Sequence, residues 1–235
     1  MMRDTLWAFN IRYTSQKKRS DNMAQTLLDI QYGDVFGNVK CEKVVLYGDS
    51  EDDGLFMNQL KLVVAGKEIA PLSCELPFGG YAMHLYLGDF LSLGKDQILV
   101  VGQSGGSGDY TVLGLVEVEK NQLKLVCRDD EISKQLVFST QLVNDEQAFV
   151  LCDQTQMIFL VEIDDENSLP QVLAPNVIYP IKQPYQDAFS LLVQQRIIGQ
   201  TNSQTLGMIQ SILVFNDQGK LVIQNQYLLE PGYEK

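Results

Sequence analysis

The stretch Tyr32-Gly33-Asp34-Val35-Phe36-Gly37-Asn38, followed by the apolar run Val44-Val45-Leu46-Tyr47-Gly48, decides how the rest of the chain is read. It returns about 55 residues later as Leu87-Gly88-Asp89-Phe90-Leu91-Ser92-Leu93-Gly94, followed by Ile98-Leu99-Val100-Val101-Gly102. Each copy is a strand, a Gly-Asp corner, a loop, a second strand and a closing glycine. A spacing of this size fits one multi-strand unit repeated in space.

The strand signal continues through the chain. Leu60–Val64, Tyr110–Val118, Leu123–Val126, Met157–Ile163 and Leu206–Phe215 are short, β-branched and partly alternating. Turn residues close them at Ala65-Gly66-Lys67, Glu119-Lys120-Asn121 and Asn216-Asp217-Gln218-Gly219-Lys220, where Gly219 suits a positive φ. Past residue 25 no sustained 3.6-residue period is evident; short helices are expected only near the N-terminus and around Glu131–Gln135. The fold expected is all-β and β-propeller-like, with four or five small antiparallel blades; a pair of packed sheets is the alternative. Grouping strands in fours gives units near 24–76, 77–130, 131–178 and 179–231. Blade faces buried against neighbours would explain runs apolar on both faces, such as Ile98-Leu99-Val100-Val101. Residues 1–22 are expected as a flexible or partly helical segment, and 23–235 as one domain.

Composition narrows the function classes. The 235 residues are 45% hydrophobic and carry a net charge of −12, which disfavours nucleic acid and anionic lipid as partners. The dense basic stretch Lys17-Lys18-Arg19 reads as a solvated tail. Acids gather in short runs, Glu51-Asp52-Asp53 and Asp164-Asp165-Glu166, read as loop chemistry, with a cation site as the sharper reading. The four cysteines, Cys41, Cys74, Cys127 and Cys152, form no C-x-x-C pair and no disulfide scaffold. Cys127 and Cys152 sit in apolar runs as small hydrophobes. The N-terminus lacks the pattern of a secretory signal, and no window approaches the ~18 apolar residues of a membrane span. The chain as written is therefore expected to be cytoplasmic.

The Gly-Asp corners, together with Gly102–Tyr110 and the segment Gln195-Arg196-Ile197-Ile198-Gly199-Gln200-Thr201-Asn202-Ser203-Gln204-Thr205-Leu206-Gly207, resemble FG-GAP/VCBS-type β-propellers. The chain is more closely similar to small VCBS-repeat-containing proteins of Firmicutes. In that pattern the loop reads Asp-x-Asp/Asn-x-Asp-Gly-x-x-Asp/Glu, and alternate oxygens converge on a hard cation. The resemblance places Asp34, Asn38 and Glu42 on its first, fifth and ninth positions. Phe36 and Val39 replace a ligand and the glycine. The second copy keeps Asp89 and Gly94, with Leu91 and Leu93 in ligand positions. In a third copy Lys182, Pro184 and Gln186 stand where acids belong. Calcium is expected at most weakly, at Asp34, Asn38 and Glu42. The other reading has Asp34 and Asp89 capping their corners by accepting backbone N–H bonds.

The sole histidine, His84, lies mid-strand among aromatics and reads as structural. The Gly-rich run 102–109 lacks the following Lys-Ser/Thr and helix of a phosphate loop. Arg196 reads as a hydrogen-bond hub, or as a polar anchor with Gln195 and Asn202. No catalytic residue is singled out. The function expected is a non-catalytic binding or scaffolding module for a protein or cell-envelope ligand. Its recognition loops would be Gly105–Asp109, with Ser107 and Asp109, and Thr201–Thr205. The rivals are an acid-residue hydrolase or lyase in a central pocket, and a calcium-stabilised surface adhesion-type protein. Unpaired sheet edges make a dimer plausible.

Overall fold

The computed structural model describes residues 25–50, 54–67, 69–163 and 169–230; the N-terminal segment 1–22 lies outside them. Sixteen strands and one helix form among the described residues, all strand pairs being antiparallel. The chain is nearly all β, as its short branched runs and turn residues require.

The first sheet is a meander of β1 (Thr26–Gly33), β2 (Glu42–Asp49), β3 (Gln59–Ala65) and β4 (Leu72–Leu76). The second repeats it with β5 (Tyr81–Gly88), β6 (Gln97–Gln103), β7 (Thr111–Glu119) and β8 (Gln122–Arg128). A helix, α1 (Asp129–Gln135), follows directly. Its start is capped by the Glu131 carboxylate, which accepts the Arg128 N–H at 3.2 Å. The third sheet holds β9 (Phe138–Asn144), β10 (Gln147–Cys152) and β11 (Ile158–Glu162). The fourth holds β12 (Gln171–Val172), β13 (Val177–Lys182), β14 (Phe189–Ile198), β15 (Thr205–Phe215) and β16 (Leu221–Leu229).

The first two expected units coincide with sheets; the boundary between the last two needs correction. Strand counting put β12 and the first two residues of β13 in the third unit, with the rest of β13 in the fourth, yet both strands pair with β14. The register Val177↔Gln194 through Lys182↔Phe189 makes β13 and β14 a hairpin, and a hairpin cannot be divided between two sheets. The Asn216–Lys220 turn forms as expected, with Gly219 at φ 67° and its N–H on the Asn216 carbonyl at 2.8 Å.

The packing order is first, second, fourth, third. Val44, Leu46, Leu62, Leu85, Ile98 and Val100 fill the core between the first and second sheets. On the other face of the second sheet, Leu99, Val101, Leu113 and Leu115 meet Ile132 of α1 and Leu191, Val193 and Leu213 of the fourth. The far end of that same fourth-sheet face covers the third sheet, where Ile197 and Ile209 meet Ala148, Val150 and Val161. The second sheet is therefore covered on both faces, which accounts for the unbroken apolar run of β6. Ile98, Leu99, Val100 and Val101 are each at most 3% exposed, and burying one such side chain contributes about 1.5–3 kcal/mol.

The two Gly-Asp corners are the same object. Asp34 accepts the N–H groups of Asn38 (2.9 Å) and Val39 (2.7 Å); Asp89 accepts those of Leu93 (2.9 Å) and Gly94 (2.8 Å). Positive φ falls at corresponding positions, Gly37 (72°) and Val39 (62°) in one loop, Ser92 (56°) and Gly94 (67°) in the other. A branched residue in the left-handed region is strained, and Val39 is 95% exposed, so no burial compensates it. Val39→Gly is expected to stabilise the protein by about 1 kcal/mol, and Gly94→Val to destabilise it by at least that much. Urea unfolding of both variants checks this; equal effects of one sign would contradict the equivalence of the loops.

Candidate functional site

Strand direction sorts the loops to two ends of the sheets. The corners follow β1 and β5. At the opposite end lie the loop before β3, the β6–β7 loop and the β14–β15 loop, contributed by the first, second and fourth sheets. These three loops meet.

The β6–β7 loop closes through Ser104 N–H on the Tyr110 carbonyl at 2.7 Å, with Gly105, Gly106 and Asp109 at positive φ. Gly105 has no alternative, because a Cβ there would strike the Tyr81 ring. Gly106, Ser107 and Asp109 are exposed. The β14–β15 loop closes through Gly199 N–H on Gln204 O and Gln204 N–H on Thr201 O, both at 3.0 Å. Arg196 holds it from beneath: Nη2 donates to Asn202 O (2.5 Å) and Thr205 Oγ1 (2.8 Å). Asn202 Nδ2 then donates across to Ser107 O at 3.1 Å, joining positions 95 residues apart in sequence. The structure thus brings Arg196, Asn202, Ser107 and Asp109 into one surface.

Gln195 does not belong to it. Neighbouring strand residues point to opposite faces, and Gln195 turns inward at 3% exposure, donating to Leu173 O at 2.9 Å.

Three residues of the surface gave no clear sequence signal. Leu55 is 81% exposed, Phe56 37% and Tyr81 39%. The Phe56 and Tyr81 rings meet edge-on at 5.1 Å. The Met57–Gly80 bridge fixes them, with both N–H···O bonds at 2.9 Å. Gly79 and Gly80 permit this, since a Cβ at Gly79 would run into the Met57 backbone. Tyr81 is turned outward by an extra residue in β5, where pairing shifts between Tyr81↔Gln103 and His84↔Val101 and Ala82 takes φ 48°. Without that bulge Tyr81 would share the core face of Met83 and Leu85. The pair Gly79-Gly80 before an aromatic was the available signal. His84 serves the bulge: its Nδ1 lies 2.9 Å from the Ala82 carbonyl, which can only accept, so Nδ1 carries the proton there.

The corner oxygens do not fit a cation. Both Asp34 oxygens accept backbone N–H groups, and Asn38 Oδ1 accepts the Lys40 N–H at 2.9 Å. Glu42 is buried at 2% exposure on the inner face of β2, beside Gly66. Its Oε2 is unpartnered, but one oxygen falls far short of the six to eight that calcium requires. Among the described residues no three His, Cys, Asp or Glu side chains group as metal ligands. The acidic runs 51–53 and 164–166 lie outside the described residues. All four cysteines are free thiols, with Cys127 and Cys152 buried.

A different carboxylate is electrostatically perturbed. Asp96 Oδ2 accepts the Asp34 N–H at 3.0 Å. Burial, with the charges of Asp34 and Asp89 nearby, raises the Asp96 carboxyl above its ordinary value despite that bond.

The fold defines an antiparallel, four-sheet protein with a three-loop surface at one end. A family model described as the YybI C-terminal domain matches residues 165–229, a stretch that includes all five strands of the fourth sheet. An uncharacterised protein YybI of Bacillus subtilis (strain 168) is 24% identical over 205 residues, covering 79% of this chain and 78% of its own. No solved structure matches the chain. Among the described residues no helix is long and apolar enough to cross a membrane.

Two outcomes follow from the corners. Millimolar calcium is expected to leave the melting temperature unchanged, while Asp34→Ala lowers stability by about 1–2 kcal/mol with or without calcium. A calcium-dependent rise lost in Asp34→Ala would instead establish a metal site. For Asp96, a raised folded-state pKa means that its favourable contribution exists at low pH and is lost as pH rises through that value. Asp96→Asn should therefore raise the melting temperature at pH 7, with the gain shrinking toward pH 3. A gain that is constant with pH would refute the charge explanation.

Proposed function

We propose that this chain is a non-catalytic binding or scaffolding module that recognises a protein or cell-envelope ligand through the three-loop surface. In this reading the sheets are four FG-GAP/VCBS-like blades in a propeller-like array, with metal loops replaced by carboxylate-capped corners. The repeated corner supports the blade reading: Asp34 O accepts Asp96 N–H at 2.9 Å, and Asp89 O accepts Phe189 N–H at 2.8 Å, so each corner joins its sheet to the one packed on it.

The single observation that carries the binding reading is the Asn202–Ser107 bond, which ties two exposed loops of different sheets into one surface. Preorganised loops lose less conformational entropy on binding. Beside them Phe56 and Tyr81 supply half-exposed aromatic area, the residue type that anchors interfaces. The arrangement combines an apolar anchor with exposed polar groups at Ser107, Asp109, Thr201 and Ser203, as recognition surfaces do.

The test places a photo-crosslinking residue at Ser107 or Ser203, and at Gln218 in the β15–β16 turn, at the other end of β15, as control. One defined partner should be captured from the first two positions and not from the third. Tyr81→Ala should weaken that capture about 30-fold, the equivalent of about 2 kcal/mol, with the melting temperature nearly unchanged. Equal labelling at all three positions, or capture insensitive to Tyr81→Ala, would overturn the proposal.

A further inference from the structure

We infer that the cleft where the second, third and fourth sheets meet is a second binding site, for a small molecule with an apolar body and a single anionic group. The cleft shares no lining residue with the three-loop surface and does not depend on it. Its volume is about 520 Å³, within the range of small-molecule sites. The end of β8 and α1 form one wall, and the β15–β16 hairpin forms the other, with Gln154 of the β10–β11 turn contributing between them.

The lining is divided by polarity. Val126, Phe215, Leu221 and Val222 supply apolar surface, while two lysines, Lys134 and Lys220, also line the cleft. In a chain of net charge −12 the lining itself holds two lysines and one acid. Lys134 is balanced by Asp130, with Nζ 3.0 Å from Oδ2. Lys220 engages through its backbone, its N–H on Asn216 Oδ1 at 3.0 Å, and its ammonium has no ion-pair partner among the described residues. The one acid in the lining, Glu131, holds the start of α1 through Arg128 N–H. An anion at Lys220 therefore gains a partner without displacing one.

The walls are held before any ligand arrives. The hairpin is locked by Gly219 N–H on Asn216 O and Asn216 N–H on Lys220 O, at 2.8 and 2.9 Å. The turn carrying Gln154 is fastened to β16 by Thr155 Oγ1 on Gln226 Oε1 at 2.6 Å. The cleft is built for binding, not covalent chemistry. Its cysteine, Cys127, is buried, and burial first, then the Glu131 carboxylate, pushes the thiol far above its ordinary value, so the nucleophilic thiolate does not form at neutral pH.

The test titrates the full chain with decanoate, below micelle formation, by calorimetry and by amide chemical shifts. Saturable one-to-one binding is expected, with shifts centred on Gly219–Val222 and Lys134. Lys220→Glu should weaken it at least about tenfold, and 1-decanol, with the same body and no charge, should bind at least about tenfold more weakly. Lys220 is exposed on a hairpin, so that variant retains the fold. A second variant, Val222→Trp, fills the cleft and should abolish binding while circular dichroism confirms the fold. Absence of saturation, equal binding of 1-decanol, or affinity unchanged in both variants would overturn the inference.

Discussion

A chain that turns sharply between strands leaves backbone N–H groups pointing inward with nothing to bond, and here one aspartate carboxylate satisfies two of them. Asp34 and Asp89 each accept the N–H groups four and five residues ahead. The loop is then closed from within, by an anion the chain carries itself. The same aspartates keep their own main-chain carbonyls free to face outward, where they take Asp96 N–H and Phe189 N–H from neighbouring sheets. The glycine before each aspartate makes that approach available: a Cβ at Gly33 would strike Asp96, and one at Gly88 would lie 2.6 Å from the Phe189 ring. Turn and joint are thus one device, and sheet stacking depends on it.

Once corners occupy one end of the sheets, the opposite end carries loops with fewer structural duties. Nothing must pack there except neighbouring loops, so exposed polar groups and half-exposed aromatics are tolerated. The fourth sheet extends this logic. Its long strands β14 and β15 cover two sheets with one face, and the seam between those two cores is polar: Gln226 Nε2 donates to Ser211 Oγ at 3.1 Å, and Gln226 also receives Thr155. Buried polar pairs require their partners in place, so this seam sets the register of the third sheet against the fourth. The cleft beside α1 forms where three sheets meet and no further element among the described residues fills the gap.

Much of this was legible in the residues. The repeat at Asp34 and Asp89, the strand runs, the helix at Glu131–Gln135 and the turn at Gly219 all state themselves locally, because a corner, a strand period and a positive-φ turn each depend on residues within about ten positions. Arg196 was legible as a hub for loop carbonyls, since a lone guanidinium in an apolar strand needs nearby acceptors. The association of Ser107 with Asn202 was anticipated only as two separate loops. Gln195 was misplaced because its strand parity could be judged only once the inner face of β14 was known.

Local pattern alone determined that the chain is nearly all β and that one Gly-Asp corner is repeated at Asp34 and Asp89; that both aspartates cap their loops was decided by the structure. Which sheet packs on which, the assignment of β12 and the start of β13 to the fourth sheet, the outward turn of Tyr81, and the place of Lys134 and Lys220 along one cleft were settled in three dimensions. The reason is range. A Gly-Asp corner and a strand period involve near neighbours in sequence, whereas a seam, a bulge's facing surface and a cleft arise from side chains brought together by core burial, which has no sequence period of its own.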